Sequence, residues 1–440
     1  TAEIYRFPRL GEPIHSSTRR PSYLYGFRYS GGNKTVIMKH IIILGDGMAD
    51  FPTSSLGNKT LLQYAQTPNM DRLAALGRTG MLKTVPKGFT PGSEVANLSI
   101  LGYDIPKVYE GRGPLEAAAI GVELQPGDLA IRCNLITIQK DTIESHSAGL
   151  ISTEEAAELI NFINKNLGNK KIRFYAGTQY RHLLVIKNGS KKLDCTPPHD
   201  HLSEPFMPLM AKATAKDAEE TANLINSLII KSQELLANHP VNLQRIKDGK
   251  LPANSIWPWS PGYKPNMKPL AQIYPAIKRG SVISASNLIN GIGIYAGLNR
   301  IHVEGATGLY DTNYGNKVKA SLNALLADDF VYLHIDASDE AGHEGDLKKK
   351  LLTIENLDRY VVEPIYNAVK DWNTPVAISV LPDHPTPYQL RTHTADPVPF
   401  LIYYPNIIPD NVLSFNEISC KEGAYGDLKG NQFMNEFMAI

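Results

Sequence analysis

Apolar residues along this chain gather in short, nearly uninterrupted runs. Ile41-Ile42-Ile43-Leu44, Phe330-Val331-Tyr332-Leu333 and Val376-Ala377-Ile378-Ser379-Val380 each have the length of one strand. Pro397-Val398-Pro399-Phe400-Leu401-Ile402-Tyr403 reads the same way. Runs this continuous predict strands buried on both faces, as in a parallel sheet covered by helices. Between them lie helical patterns. Thr67 to Gly77 predicts a helix with Pro68 in its first turn and Gly77 at its stop. Thr90-Pro91-Gly92 predicts a loop that turns into a helix at Ser93. Strands alternating with helices make the chain α/β.

A middle region, from about residue 110 to 300, has its own pattern. It predicts strands over Ala130 to Ile138 and Leu183 to Ile186, and helices over Thr153 to Asn166 and Ala215 to Leu236. Ile256-Trp257-Pro258-Trp259-Ser260-Pro261-Gly262 reads as a Pro/Trp/Gly-rich loop. The segments with metal-binding character lie before and after this region. That distribution predicts a core formed by 38–110 and 300–440, with a second α/β domain, 111–299, inserted into it. The chain is expected to cross near Tyr109 to Gly113 and to return near Leu298 to Val303. Residues 1–37 have no apolar periodicity and precede Met38 and the first strand, so they are expected to be an extension outside the core.

Lys and Arg total 45 against 44 Asp and Glu, a net charge of +1. This balance points to neither nucleic acid nor a membrane surface. No apolar run reaches the roughly 18 residues of a membrane-spanning helix. Cys133, Cys195 and Cys420 form no CxxC motif and no disulfide framework, which fits a reducing cytoplasm.

The candidate chemistry sits where strands end. Asp46 follows the first run in Gly45-Asp46-Gly47-Met48. Asp339 and His343 lie in an acidic loop, Asp336 to Asp346. Asp383-His384 follows the third run, and His393 precedes the fourth. Such residues at the carboxyl ends of strands build ligand sites at the edge of an α/β sheet. Carboxylates mixed with imidazoles suit Mn²⁺, Zn²⁺ or a related divalent ion. Ser93, at a helix entry, is either a nucleophile or a plain N-cap. In the middle region, Arg112, Arg132, His146, Arg181, His182, Arg245 and Lys278 are candidates for an anion clamp, or ordinary surface charges.

Taken together, these motifs resemble the cofactor-independent phosphoglycerate mutases of the archaeal type, in the alkaline phosphatase superfamily. The resemblance runs from Met38 to the C-terminus. It rests on Gly45-Asp46-Gly47-Met48, Thr67-Pro68-Asn69-Met70-Asp71, Pro91 to Ser99, Tyr109 to Ala118, His146-Ser-Ala-Gly149, Asp339-x-x-Gly342-His343 and Asp383-His384. It implies an alkaline phosphatase-like core sheet flanked by helices, with a substrate-handling domain that closes over it. It also implies two divalent ions, with manganese expected and zinc, cobalt or magnesium as alternatives, and no 2,3-bisphosphoglycerate. One ion would be held by Asp339, His343 and His393, the other by Asp46, Ser93, Asp383 and His384. Ser93 would carry a phosphoserine intermediate, and the substrate would be a small phosphorylated carboxylic acid. The same core would also serve phosphoryl transfer to homoserine, or plain phosphomonoester hydrolysis.

Overall fold

The computed structural model describes residues 38–439, so the expectation for residues 1–37 lies outside the described residues. In chain order the strands are β1 (Lys39–Gly45), β2 (Arg78–Lys83), β3 (Asp128–Gln139), β4 (Thr142–Ser145), β5 (Ile172–Tyr175), β6 (Arg181–Lys187), β7 (Leu193–Asp194) and β8 (Lys212–Ala213). They continue as β9 (Ser255–Gly262), β10 (Gly280–Ile283), β11 (Asn299–Arg300), β12 (Phe330–Ile335), β13 (Val376–Leu381), β14 (Val398–Tyr403) and β15 (Gly426–Lys429). A large sheet of eight strands has the order β11-β10-β12-β1-β13-β14-β2-β15. Every pairing from β11 through β13 is parallel, and only β14 runs against its neighbours.

Both faces of this sheet are buried, as the continuous apolar runs require. Along β1, Ile41 and Ile43 enter one core cluster while Ile42 and Leu44 enter the cluster on the opposite face. β12 divides in the same way, Val331 and Leu333 against Phe330 and Tyr332. Each such fully buried aliphatic side chain contributes about 1.5–3 kcal/mol relative to exposure.

A second sheet contains β4, β3, β6 and β5, with β9 paired to β3. It has its own core, including Leu129, Ile131, Leu159, Ile163 and Trp257. The helix Arg112–Ala119 is shared between the sheets. Its Leu115 packs into a cluster of the large sheet, and its Ala117 packs against Ala130 and Leu183 of the second.

Three expectations change. Ile256 to Gly262, read as a loop, belongs to strand β9, paired to β3 with a register shift at Ile131/Arg132. Pro258 and Pro261 are tolerated because β9 pairs on one side only, where a missing N–H breaks no second ladder. The acidic loop Asp336 to Asp346 is largely the helix Ala337–Glu344, closed by Gly345 in the left-handed conformation (φ 71°). The return crossing comes earlier than 299. β10 and β11 already belong to the large sheet, so the chain returns between Gly262 and Gly280.

Candidate active site

β1, β12 and β13 lie side by side in register, with Gly45 beside Ile335 and Leu44 beside Leu381. The segments that follow them therefore meet at one sheet edge. Asp46 leaves β1, the helix Ala337–Glu344 leaves β12, and Asp383-His384 leaves β13. On that helix Asp339 and His343 stand four residues apart, which puts both on one face. Gly47 makes the approach possible. Its φ is +60°, and a Cβ there would lie 2.5 Å from both Asp339 Oδ1 and Thr386 Oγ1.

Two sets of donor atoms converge. In the first, His343 Nε2 lies 3.3 Å from Asp339 Oδ2, and His393 Nε2 lies 3.4 Å from Asp339 Oδ1. The two imidazole Nε2 atoms are 2.9 Å apart. Backbone carbonyls stand at the far nitrogens: Arg391 O is 3.0 Å from His343 Nδ1, and Pro91 O is 3.4 Å from His393 Nδ1. A ring that donates Nδ1–H to a carbonyl turns the Nε2 lone pair to the other side. Two lone pairs and a carboxylate then face one point.

In the second set, Ser93 Oγ is 3.2 Å from His384 Nε2 and 3.4 Å from Asp46 Oδ2. His384 Nε2 is 3.6 Å from Asp46 Oδ1 and 3.5 Å from Asp383 Oδ2. Ligand atoms about 2.1 Å from one tetrahedral ion sit about 3.4 Å from each other. The separations are of that order, and the donors close enough to share one ion are Asp339, His384 and His393 in one group and Asp46, His334 and Asp383 in another. Asp46 Oδ1 is buried and has no hydrogen-bond partner, a setting that a cation would satisfy. The sets abut, with the His384 and His393 rings 4.1 Å apart.

The electrostatics agree. Burial, and then the carboxylates of Asp383 and Asp339, push the Asp46 carboxyl well above its usual range. Burial also pushes Asp339 up, but with the rings protonated, hydrogen bonds from His343 and His393 outweigh it and hold that carboxyl well below its usual range; a divalent ion would take the place of those protons. Divalent ions would relieve the repulsion among these three carboxylates.

Ser93 is the first residue of the helix Ser93–Ile100. Gly92 occupies the N-cap, and no side chain caps the helix. The N-cap alternative for Ser93 therefore lapses. Its hydroxyl is turned toward Asp46 and His384. Asn97, one turn on, ties the helix down by donating to Ser93 O at 2.8 Å and to Asp383 Oδ2 at 2.9 Å.

The candidate cations divide. Arg112, Arg132, Arg181 and His146 come together around Trp259 and Tyr180. The Arg112 and Arg132 guanidinium carbons lie 5.6 and 4.9 Å from the Trp259 ring, and Arg181 lies 4.5 Å from the Tyr180 ring. His146 packs edge-on against Tyr180. Arg112 is already engaged: Nε and Nη2 grip the two oxygens of Glu94, the residue after Ser93, at 2.9 and 3.0 Å. Arg132 is partly engaged by Glu116 at 3.4 Å. Arg181 also opposes the burial that raises Glu340, the neighbour of Asp339.

Three candidates lie elsewhere. Arg245 is buried in a structural brace, bonded to Glu155, Ala148 O and Leu251 O. His182 is buried and accepts from Gly177 N, and burial pulls its pKa down to about 3. Lys278 is exposed just before β10, where its N–H bonds Asp329, which precedes β12; this is the opposite end of the parallel strands from Asp46.

Several site residues escaped the sequence reading. Asn97 and Glu94 lie within a quoted motif but had no assigned role. Thr386 bridges Asp339 and His384. His199 stacks edge-on against Trp259 and His146. His334 is buried inside β12 with Nε2 3.0 Å from Asp46 Oδ2. Its only sequence signal is a polar residue in an otherwise apolar strand.

A family described as 2,3-bisphosphoglycerate-independent phosphoglycerate mutase matches residues 74–242. The 2,3-bisphosphoglycerate-independent phosphoglycerate mutase of Methanosarcina mazei is 49% identical over 399 residues, covering 90% of this chain and 98% of that protein. The structure of the PH0037 protein from Pyrococcus horikoshii aligns with a TM-score of 0.78 at 30% identity, covering 92% of this chain and 97% of that one. The cofactor-independent phosphoglycerate mutase from Thermoplasma acidophilum aligns with a TM-score of 0.63 at 27% identity, covering 91% and 99%. No described helix is long and apolar enough to cross a membrane.

Proposed function

We propose a mechanism for this chain on one premise: it belongs to the 2,3-bisphosphoglycerate-independent phosphoglycerate mutase family. It interconverts 3-phosphoglycerate and 2-phosphoglycerate, with Ser93 Oγ taking the phosphoryl group and returning it to the other hydroxyl. The observation that carries this is the placement of Ser93 Oγ, free of any cap, between Asp46 and His384. Asp339, His343 and His393 would hold one divalent ion. Asp46, Asp383, His384 and Ser93 would hold the other. The mixed oxygen and nitrogen donors suit manganese, with zinc, cobalt or magnesium as substitutes. When bound, the ions supply charge for the phosphate oxygens and lower the pKa of the attacking hydroxyl.

The chain's own residues do the rest. The Ser93 helix starts at the attacking oxygen, so its free N–H groups favour an incoming phosphate. Asn97 fixes the position of that start. Arg132 and Arg181 orient the glycerate carboxylate and phosphate from the second sheet, and His146 lines the same cluster. Enclosure between the large-sheet core, 38–110 with 300–440, and the segment that carries β3, β6 and β9 keeps water from the phosphoserine. The three cysteines are unpaired, in keeping with a cytoplasmic enzyme.

The test is a coupled assay from 3-phosphoglycerate without 2,3-bisphosphoglycerate, on native protein and on Ser93→Ala. Native protein should turn over and trap phosphoserine on acid quench, and it should lose both activities on metal chelation. Ser93→Ala should do neither while binding metal. Turnover in that variant would refute the mechanism. Transfer to homoserine from a nucleotide, with none to glycerate, would redirect the substrate.

A further inference from the structure

Behind Asp46 runs a line of buried polar groups that the proposed chemistry does not use. His334, Asp336 and Lys317 are all buried, with His334 and Lys317 wholly inaccessible. His334 Nε2 lies 3.0 Å from Asp46 Oδ2, off the straight hydrogen-bond line. On its other side, Nδ1 is 3.2 Å from Ser284 Oγ and 3.5 Å from Asp336 Oδ2. Lys317 Nζ ends the line, 3.6 Å from Asp336 Oδ2 and 3.4 Å from the His334 carbonyl. Four elements therefore meet here: the turns after β1, β12 and β10, and the helix Tyr314–Ala327.

Burying this many charged and polar groups costs several kcal/mol that an apolar replacement avoids, so stability alone gives no reason for the line. What it does geometrically is distinguish the two oxygens of Asp46. Oδ2 faces His334. Oδ1 is buried, unpartnered and 3.6 Å from His384 Nε2, on the side of the converging ligands. The close approach of the buried His334 ring to Oδ2 restricts rotation of the carboxylate.

We propose that His334 is a positioning residue, which fixes the orientation of the Asp46 carboxylate so that its unpartnered Oδ1 is offered to the divalent ion beside Ser93. Ser284 bonds the imidazole Nδ1, Asp336 lies beside that nitrogen, and Lys317 pairs with Asp336. The proposal rests on the two-ion reading above. It assigns His334 a place outside the ligand set, acting through Asp46. Outer partners of this kind typically change metal affinity by 10–100-fold.

The experiment is calorimetric titration of Mn²⁺ into chelator-stripped, full-length protein, with the visible spectrum of the Co²⁺-loaded protein and thermal unfolding alongside. The native chain should bind two ions. His334→Ala should weaken one of the two steps by about 10–100-fold and leave the other unchanged. His334→Gln, whose amide N–H can reach Asp46 but is a poor ligand, should restore most of the loss. Asp336→Asn should weaken the same step by a smaller factor. Unchanged affinities and Co²⁺ spectrum in a folded His334→Ala would overturn the proposal. So would a lost step that Gln does not rescue, because His334 would then be a ligand itself. If His334→Ala does not fold, Asp336→Asn decides, and two native-like steps in that variant refute the relay. Fewer than two ions on the native chain would sink the two-ion reading, and the relay with it. Two ions with no response at His334 or Asp336 would sink the relay alone.

Discussion

Replacing Arg112 by Met tests how the nucleophile is held. Arg112 grips Glu94 through two N–H groups, and the two side chains retain 24% and 10% exposure. Burial pushes the Glu94 carboxyl up, and the Arg112 charge with its hydrogen bonds outweighs this and keeps it lowered. Without Arg112, burial is opposed only by Glu94's own backbone N–H and by Tyr109 Oη at 3.2 Å. Breaking a buried pair on one side costs about 3–5 kcal/mol. The residual exposure of Arg112 places this case at the low end, about 3 kcal/mol. The Arg112→Met/Glu94→Gln double variant should regain about 1–2 kcal/mol of that, because no buried charge is left over. Urea unfolding followed by two independent probes gives the stabilities, with 3-phosphoglycerate turnover measured in parallel. The single variant should also lose about tenfold or more in kcat, since Glu94 adjoins Ser93 and a small misplacement is costly. A single variant as stable as the double, or within about 0.5 kcal/mol of native, would refute the reasoning.

Gly47→Ala should cost about 1–3 kcal/mol of stability and weaken divalent-ion binding, because the new Cβ meets Asp339 and Thr386 at a positive φ; native Mn²⁺ affinity would contradict this. Arg181→Ala should raise KM for 3-phosphoglycerate with metal content unchanged, and raise hydrolysis of the phosphoserine relative to transfer; unchanged kinetics at saturating metal would remove Arg181 from substrate handling. His40 is buried with neither ring nitrogen bonded, and burial, opposed by Asp329, holds its pKa down to about 4. The unfolded chain therefore binds the proton more readily, so this contribution is present above about pH 6.5 and fades as pH falls toward 4, by about 3 kcal/mol in all. His40→Leu should flatten the native stability profile over that window, and a parallel profile would refute the assignment.

Periodicity alone exposed the buried strands, because a strand covered on both faces has no polar positions to interrupt it. The segments at the ends of those strands, with Asp46, Asp339, His343, Asp383, His384 and His393, stood out only together: singly, a solvated acidic turn or a structural imidazole explains each, and their recurrence is what pointed to a metal site. Tertiary structure decided what depended on approach from distant segments. Arg112 read as a free cation until Glu94 was seen to hold it, and Arg245 until Glu155 and two carbonyls were. β9 read as a loop because its prolines count against a strand only when both ladders must form. His334 sits among apolar neighbours in β12, where sequence offers no partner for it. Its meaning comes from Asp46, nearly three hundred residues away in the chain and 3.0 Å away in the fold. A strand's local pattern reports how deeply it is buried, whereas the identity of what lies beside each buried polar atom is set only when the sheet assembles.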